Sequence, residues 1–100
     1  MKAAEQGLAE AQCAVGKNYL YGIGVDSDYS LALKWLNKAA AQDERWAYSY
    51  LGLMYLEGKG VTKSRYTAAN YFDISAKISA ENGDSYAQII QKISQIVRML

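Results

Sequence analysis

The chain has 100 residues, 51% hydrophobic and 21% charged, and eleven Lys and Arg offset ten Asp and Glu to a net charge of +1. That length suits one domain, residues 1–100, and the even charge argues against a nucleic-acid partner, which needs clustered basic residues. His is absent and Cys13 is the lone cysteine, which excludes Ser-His and Cys-His nucleophile pairs, His-bearing zinc sites and an intrachain disulfide.

Pro is absent as well and Ala is abundant, so the composition favours an all-α protein. No apolar run approaches the roughly 18 residues of a membrane span, so no membrane insertion is expected. Residues 1–6 lack the apolar stretch of a secretory signal, which reads as cytoplasmic as written, and as periplasmic or secreted if a signal segment has been removed.

In chain order, Lys2-Ala3-Ala4-Glu5-Gln6 reads as the end of a second helix whose first helix is missing. The expectation is either a longer array or an N-terminus with exposed small residues. A helix over Ala9–Tyr21 follows and stops at Gly22, where Gly tolerates the left-handed cap conformation. The loop Gly22-Ile23-Gly24-Val25 leads to a second helix opening near Asp28, a good N-cap residue, and ending near Gln42. The pattern then returns at an offset of 36. Gly16-Lys17-Asn18-Tyr19-Leu20-Tyr21-Gly22-Ile23-Gly24-Val25 aligns with Gly52-Leu53-Met54-Tyr55-Leu56-Glu57-Gly58-Lys59-Gly60-Val61. A helix over Arg45–Glu57, a stop at Gly58 and a helix from Ser64 to near Asn82, with Gly83 as its stop, complete the second unit.

Gly16 and Gly52 lie mid-helix, where Gly costs about 1 kcal/mol relative to Ala. Close approach of a partner helix carrying Ala32 or Ala68 is the expected compensation, and Gly52→Leu is expected to overpack by about 1–3 kcal/mol. Tyr19, Trp35, Leu36, Leu51, Tyr55, Tyr71 and Phe72 fill the remaining core. Of the nine Tyr and two Trp, Tyr21, Trp46, Tyr48, Tyr50, Tyr66 and Tyr86 are not committed by the repeat.

These residues resemble the Sel-one-like repeat family, relatives of tetratricopeptide repeats. Lys2 to Gly7 read KAAEQG, and Ala9, Ala11, Gly16, Tyr19, Gly22, Gly24, Val25, Asp28, Ala32, Trp35, Lys38, Ala39 and Ala40 continue the pattern. The second unit follows at Ala47, Leu51, Gly52, Tyr55, Gly58, Gly60, Val61 and Ala68. Asp43 departs from the expected Gly, Ser64 replaces the acidic helix opener, and the paired cysteines of some secreted members are missing. The resemblance implies an α-solenoid of two-helix repeats, about 8–43 and about 44–83, capped by an amphipathic helix at about 85–100. It implies binding of another protein or peptide on the concave face, with no shared catalytic residues, cofactor or metal. Bacterial members include adaptors and immunity proteins that neutralise toxic effectors. The alternatives are a self-associating structural module and, last, a small hydrolase.

Two features break the repeat. The offset lengthens to 40 after residue 71, about one extra helical turn. In the last helix, the positions matching Ala47, Leu51, Gly52 and Tyr55 are Ala87, Gln91, Lys92 and Gln95, mostly polar. Its apolar stripe is Tyr86, Ile89, Ile90, Ile93, Ile96, Val97 and Leu100, pointing about 160° from the expected core face at 100° per residue. Either the helix rolls and buries the stripe, or the stripe joins the concave side, or a homodimer covers it. The candidate partner-binding residues are therefore Trp46, Ser49, Leu53 and Leu56 with Tyr86, Ile89, Ile93 and Ile96. The matching concave positions of the first unit are Glu10, Cys13, Lys17 and Leu20.

The remaining candidates read as structure. Gly22-Ile23-Gly24, Gly58-Lys59-Gly60 and Thr62-Lys63-Ser64 lack the strand and the complete Gly pattern of phosphate loops. Asp26, Asp28, Asp43, Glu44, Glu57 and Asp84 sit near helix ends, where capping and dipole complementarity explain them. Cys13 reads as an inert small residue, with Lys17 as a weak cationic neighbour.

Overall fold

Asp28 and Ser64 start helices where the sequence places N-caps, and Glu44 starts a third. Asp28 accepts from the Leu31 amide at 3.0 Å, Glu44 from the Trp46 amide at 2.9 Å and Ser64 from the Thr67 amide at 3.2 Å, which satisfies amides that have no partner in a first turn. The structure is a computed structural model and describes residues 2–100. Its described residues form α1 (Lys2–Glu5), α2 (Ala9–Tyr21), α3 (Tyr29–Ala40), α4 (Arg45–Glu57), α5 (Arg65–Glu81) and α6 (Tyr86–Met99), with no strand among them. The spans of α2 and α4 are those expected from the sequence. Gly22 and Gly58 stop them in the left-handed conformation, at φ 69° in both, and their amides bond back to the Asn18 and Met54 carbonyls.

α2 packs on α3 and α4 on α5, as two hairpins joined by contacts of α4 with α3 and with α2. The mid-helix glycines set how close each hairpin closes. A Cβ on Gly16 would lie 2.6 Å from Leu36 Cγ and 3.1 Å from the Leu36 backbone nitrogen, and one on Gly52 would lie 3.0 Å from Phe72 Cζ. The partners are thus Leu36 and Phe72, one turn beyond the expected Ala32 and Ala68, because the longer side chain reaches across to the glycine. Leu36, Leu51 and Met54 are fully buried with Ala32, Ala39 and Ala47 in one cluster, and Phe72, Ala68, Ala76, Ile90 and Val97 form a second. Each large side chain so buried contributes about 1.5–3 kcal/mol.

α1 lies against α2, and Ala4, 1% exposed, packs with Val15 and Trp35. The expected exposure of small residues does not occur at Ala4, because Trp35 covers it. The junction is also held by equivalent polar bonds from different residue types. Gln12 Nε2 donates to the Ala4 carbonyl at 3.4 Å, and Tyr48 Oη donates to the Ala40 carbonyl at 2.9 Å. Asp43, where Gly was expected, stands at φ +59°, in the same left-handed region as Gly7 and Gly83. A short polar side chain tolerates that conformation better than a branched one.

α5 has 17 residues against 12 in α3, the extra turn that the changed offset predicted. α6 packs closely on this longer helix. The roll of α6 is partial. Ile90, Ser94 and Val97 are buried, while Tyr86, Ile89, Ile93, Ile96 and Leu100 stay outside. Polar anchors fix that orientation: Ser94 Oγ donates to the Ala69 carbonyl at 3.2 Å and to Asp73, and Arg98 pairs with Asp73 and donates to Asn70 Oδ1 at 3.2 Å.

Two stability measurements follow from these contacts. Gly16→Ala destabilises by about 1–3 kcal/mol, because the new methyl meets backbone as well as side chain, whereas Gly52→Ala stays near neutral as the gain in helix propensity offsets a small shift of the Phe72 ring. Equal losses in urea denaturation would contradict this. Asp73→Ala costs about 1–2 kcal/mol by leaving Arg98 unpaired and removing one Ser94 acceptor, and amide exchange should quicken in α6 ahead of α2 and α4.

Candidate partner-binding face

A groove of about 490 Å³ opens between α2 and α4. Its floor includes Cys13 and Ala14, its aromatic wall is Trp46 and Tyr50, and Glu10, Lys17, Asp43 and Glu44 stand at its rim with Asn82. Three of the four first-unit positions expected on the concave side, Glu10, Cys13 and Lys17, therefore line it, while Leu20 is buried in the core at 3% exposure.

Arg45 braces the groove. Its guanidinium pairs with Asp84 at 2.5 Å and lies 5.2 Å over the Trp46 ring, and its backbone carbonyl accepts from Ser75 Oγ at 2.8 Å. Trp46 also meets Tyr86, edge to face at 5.4 Å. Tyr50 meets Tyr21 edge to face at 6.2 Å. Burial raises the pKa of both tyrosines above the ordinary phenol value.

The eight expected partner-binding residues do not form one strip. Trp46 lines the groove. The Ser49 hydroxyl bonds to Ser75 at 2.8 Å, against α5. Leu53 and Leu56 are half-buried and pack on the cluster containing Ile90 and Val97. Tyr86, Ile89, Ile93 and Ile96 are 38–57% exposed on α6. Tyr50, Arg45 and Asn82 were not assigned to the site from the sequence. Tyr50 carried a signal as an aromatic the core does not need; Asn82 carried none, because the extra turn of α5 brings it to the groove.

Cys13 is buried and its thiol is pushed up to about 12, by desolvation first and the Glu44 carboxylate second, against a smaller opposing effect of Lys17. The folded state thus favours the neutral thiol. Its contribution to stability is whole below the unfolded thiol value of 9.0 and is lost as pH rises from there towards about 12. Cys13→Ala should flatten part of the alkaline fall in stability, with the raised tyrosines leaving the rest. In native protein at pH 8, a thiol reagent should label Cys13 far more slowly than in urea-unfolded protein; equal rates would contradict the burial.

The Sel1 repeat family profile matches residues 9–44 and 47–78. The chain is 34% identical over 82 residues to the ERAD-associated E3 ubiquitin-protein ligase component HRD3B of Arabidopsis thaliana, covering 80% of this chain and 12% of that protein. It is 39% identical over 81 residues to human protein sel-1 homolog 2, covering 80% of this chain and again 12% of the relative. The chain thus spans about an eighth of the length of these relatives. Among solved structures, a Sel1 repeat protein from Oxalobacter formigenes superposes with a TM-score of 0.76 at 36% identity, over 90% of this chain and 35% of that one. A protective antigen of uropathogenic Escherichia coli displaying an SLR fold superposes with a TM-score of 0.71 at 37% identity, over 89% and 18%. With its tandem helical hairpins closed on mid-helix glycines and its matched repeats, the chain belongs to the Sel1 repeat family.

Proposed function

We propose that this chain is a non-catalytic module that binds an extended segment of another protein in the groove between α2 and α4, as a bacterial adaptor or effector-neutralising protein. Sel1 repeats mediate protein–protein interaction. The observation that carries the reading is the groove itself, an open cleft with Trp46 and Tyr50 on one wall and rim charges of both signs. Aromatic side chains on rigid helices give large contact area at little entropic cost, the character of interface hot spots.

The carboxylates support a non-catalytic reading because several are committed to structure. Asp28 and Glu44 cap helices, Asp84 accepts from the Tyr86 amide at 2.8 Å while pairing with Arg45, and Asp73 anchors α6. The test is site-specific photocrosslinking in the source cell. A crosslinker at Tyr50 or Lys17 should capture one discrete protein, and one at Lys34 on α3 should not. Tyr50→Arg should weaken that capture at least tenfold without changing the helical spectrum. Equal capture from both sides, or capture indifferent to Tyr50→Arg, would sink the assignment.

A further inference from the structure

The groove between α2 and α4 has a counterpart one unit on, between α4 and α6, which is filled by apolar side chains. There Trp46 meets Tyr86 edge to face, and Leu53 packs on the cluster that contains Ile90. The residues that stand 36 positions before Trp46 and Leu53 are Glu10 and Lys17. Charged groups resist the burial that the two apolar ones accept, so the first junction stays open while the second closes.

The charges of the open groove are unevenly matched. Glu10, Asp43 and Glu44 line it with Lys17 and Arg45, and the Arg45 guanidinium is already paired with Asp84. Among the described residues, no ion pair takes up Glu10, Asp43, Glu44 or Lys17. Three carboxylates therefore face one ammonium, in a chain whose net charge is +1. On the groove floor, the Glu44 carboxylate outweighs the Lys17 ammonium in its effect on the Cys13 thiol. Two of the carboxylates are held in place with an oxygen to spare. Glu44 Oε1 accepts from the Trp46 amide at 2.9 Å, and Asp43 Oδ1 from Tyr48 Oη at 3.4 Å. Glu10, Asp43 and Glu44 lie at the starts of α2 and α4, whereas Lys17 lies seven residues beyond Glu10, about 10 Å along the helix.

We propose that the segment bound in this groove is cationic, with an Arg or Lys of the partner protein entering among Glu10, Asp43 and Glu44 and an adjacent apolar side chain lying on Trp46 and Tyr50. The proposal rests on the groove being the partner-binding face. Complementary charge steers such a segment in and fixes its register. Arg suits the site better than Lys, because its planar fork can bond two carboxylate oxygens at once. An acidic segment would meet like charge at the starts of the helices and find only Lys17 to pair with.

The test is fluorescence anisotropy with the full chain and two labelled peptides of equal length, each with a central Leu, one flanked by Arg and the other by Glu. At low salt the Arg peptide should bind roughly tenfold or more tightly than the Glu peptide, and the advantage should shrink at about 0.5 M salt as the exposed charges are screened. Glu10→Gln with Asp43→Asn should remove most of the preference, and Asn tolerates the left-handed backbone at residue 43. Lys17→Gln should tighten the Arg peptide, and Lys34→Gln on α3 should change nothing. Should the double variant lose the helical spectrum, Glu10→Gln alone, at an exposed position, replaces it. A Glu peptide that binds as tightly as the Arg peptide, no binding of either, or a preference indifferent to Glu10→Gln overturns the proposal. Its failure is distinct from failure of the partner-binding reading: if a crosslinker at Tyr50 still captures one protein while Arg is not preferred, the groove stays the binding face and the cationic segment is struck out.

Discussion

The distance between Gly16 and Leu36, repeated between Gly52 and Phe72, is the constraint on which the rest of the structure depends. A methyl on Gly16 would sit 2.6 Å from Leu36 Cγ, so the hairpin closes as it does because that methyl is missing. Closing brings Leu36, Leu51 and Met54 into one buried cluster and lets α4 lie on α3 and beside α2. The groove exists because α2 and α4 are adjacent, and they are adjacent because each is drawn close to its own second helix. A helix-destabilising residue in mid-helix is thus offset by tertiary packing rather than by local propensity.

The last helix follows a different logic. α6 occupies the place of a third first helix, but its contacts are those of a cap. Ser94 and Arg98 pin it to the long α5 through Asp73, Asn70 and the Ala69 carbonyl. Directional polar bonds can fix the rotation of a helix where apolar packing tolerates several. Here they select Ile90 and Val97 for the core and leave Ile89, Ile93 and Ile96 outside. Gln91, Lys92 and Gln95 lie exposed on one side of the helix, and Ile89, Ile93 and Ile96 on another.

Two surfaces of different character therefore lie side by side, joined at Trp46. The groove is lined by aromatic and charged groups, and the exposed stripe of α6 is apolar. Trp46 lines the groove and meets Tyr86 of α6 edge to face. Arg45 over its ring and Asp84 on Arg45 hold it in place, and Asp84 also accepts from the first amide of α6. A change in the seat of α6 would thus be felt at the groove wall.

The repeat, the helix spans, the caps at Asp28 and Ser64 and the stops at Gly22 and Gly58 were legible in the sequence, because each is local: a side chain or a glycine acts on backbone within a few residues. The role of Gly16 and Gly52 in close packing was legible too, from the cost of glycine in mid-helix. Their partners were not, since Leu36 and Phe72 reach them across space at a distance that no periodicity encodes. The same holds for α6. Its amphipathic pattern announced an apolar stripe out of step with the core, but the stripe spans more than one face. Which part of it would be buried depended on Asp73 standing opposite Ser94 and Arg98. The eight residues read as one binding strip were divided for that reason: Ser49 turned to Ser75, Leu53 and Leu56 went under Ile90 and Val97, and Tyr86, Ile89, Ile93 and Ile96 were left outside. Local chemistry fixes where helices begin and end; only their packing decides which of their faces meets water.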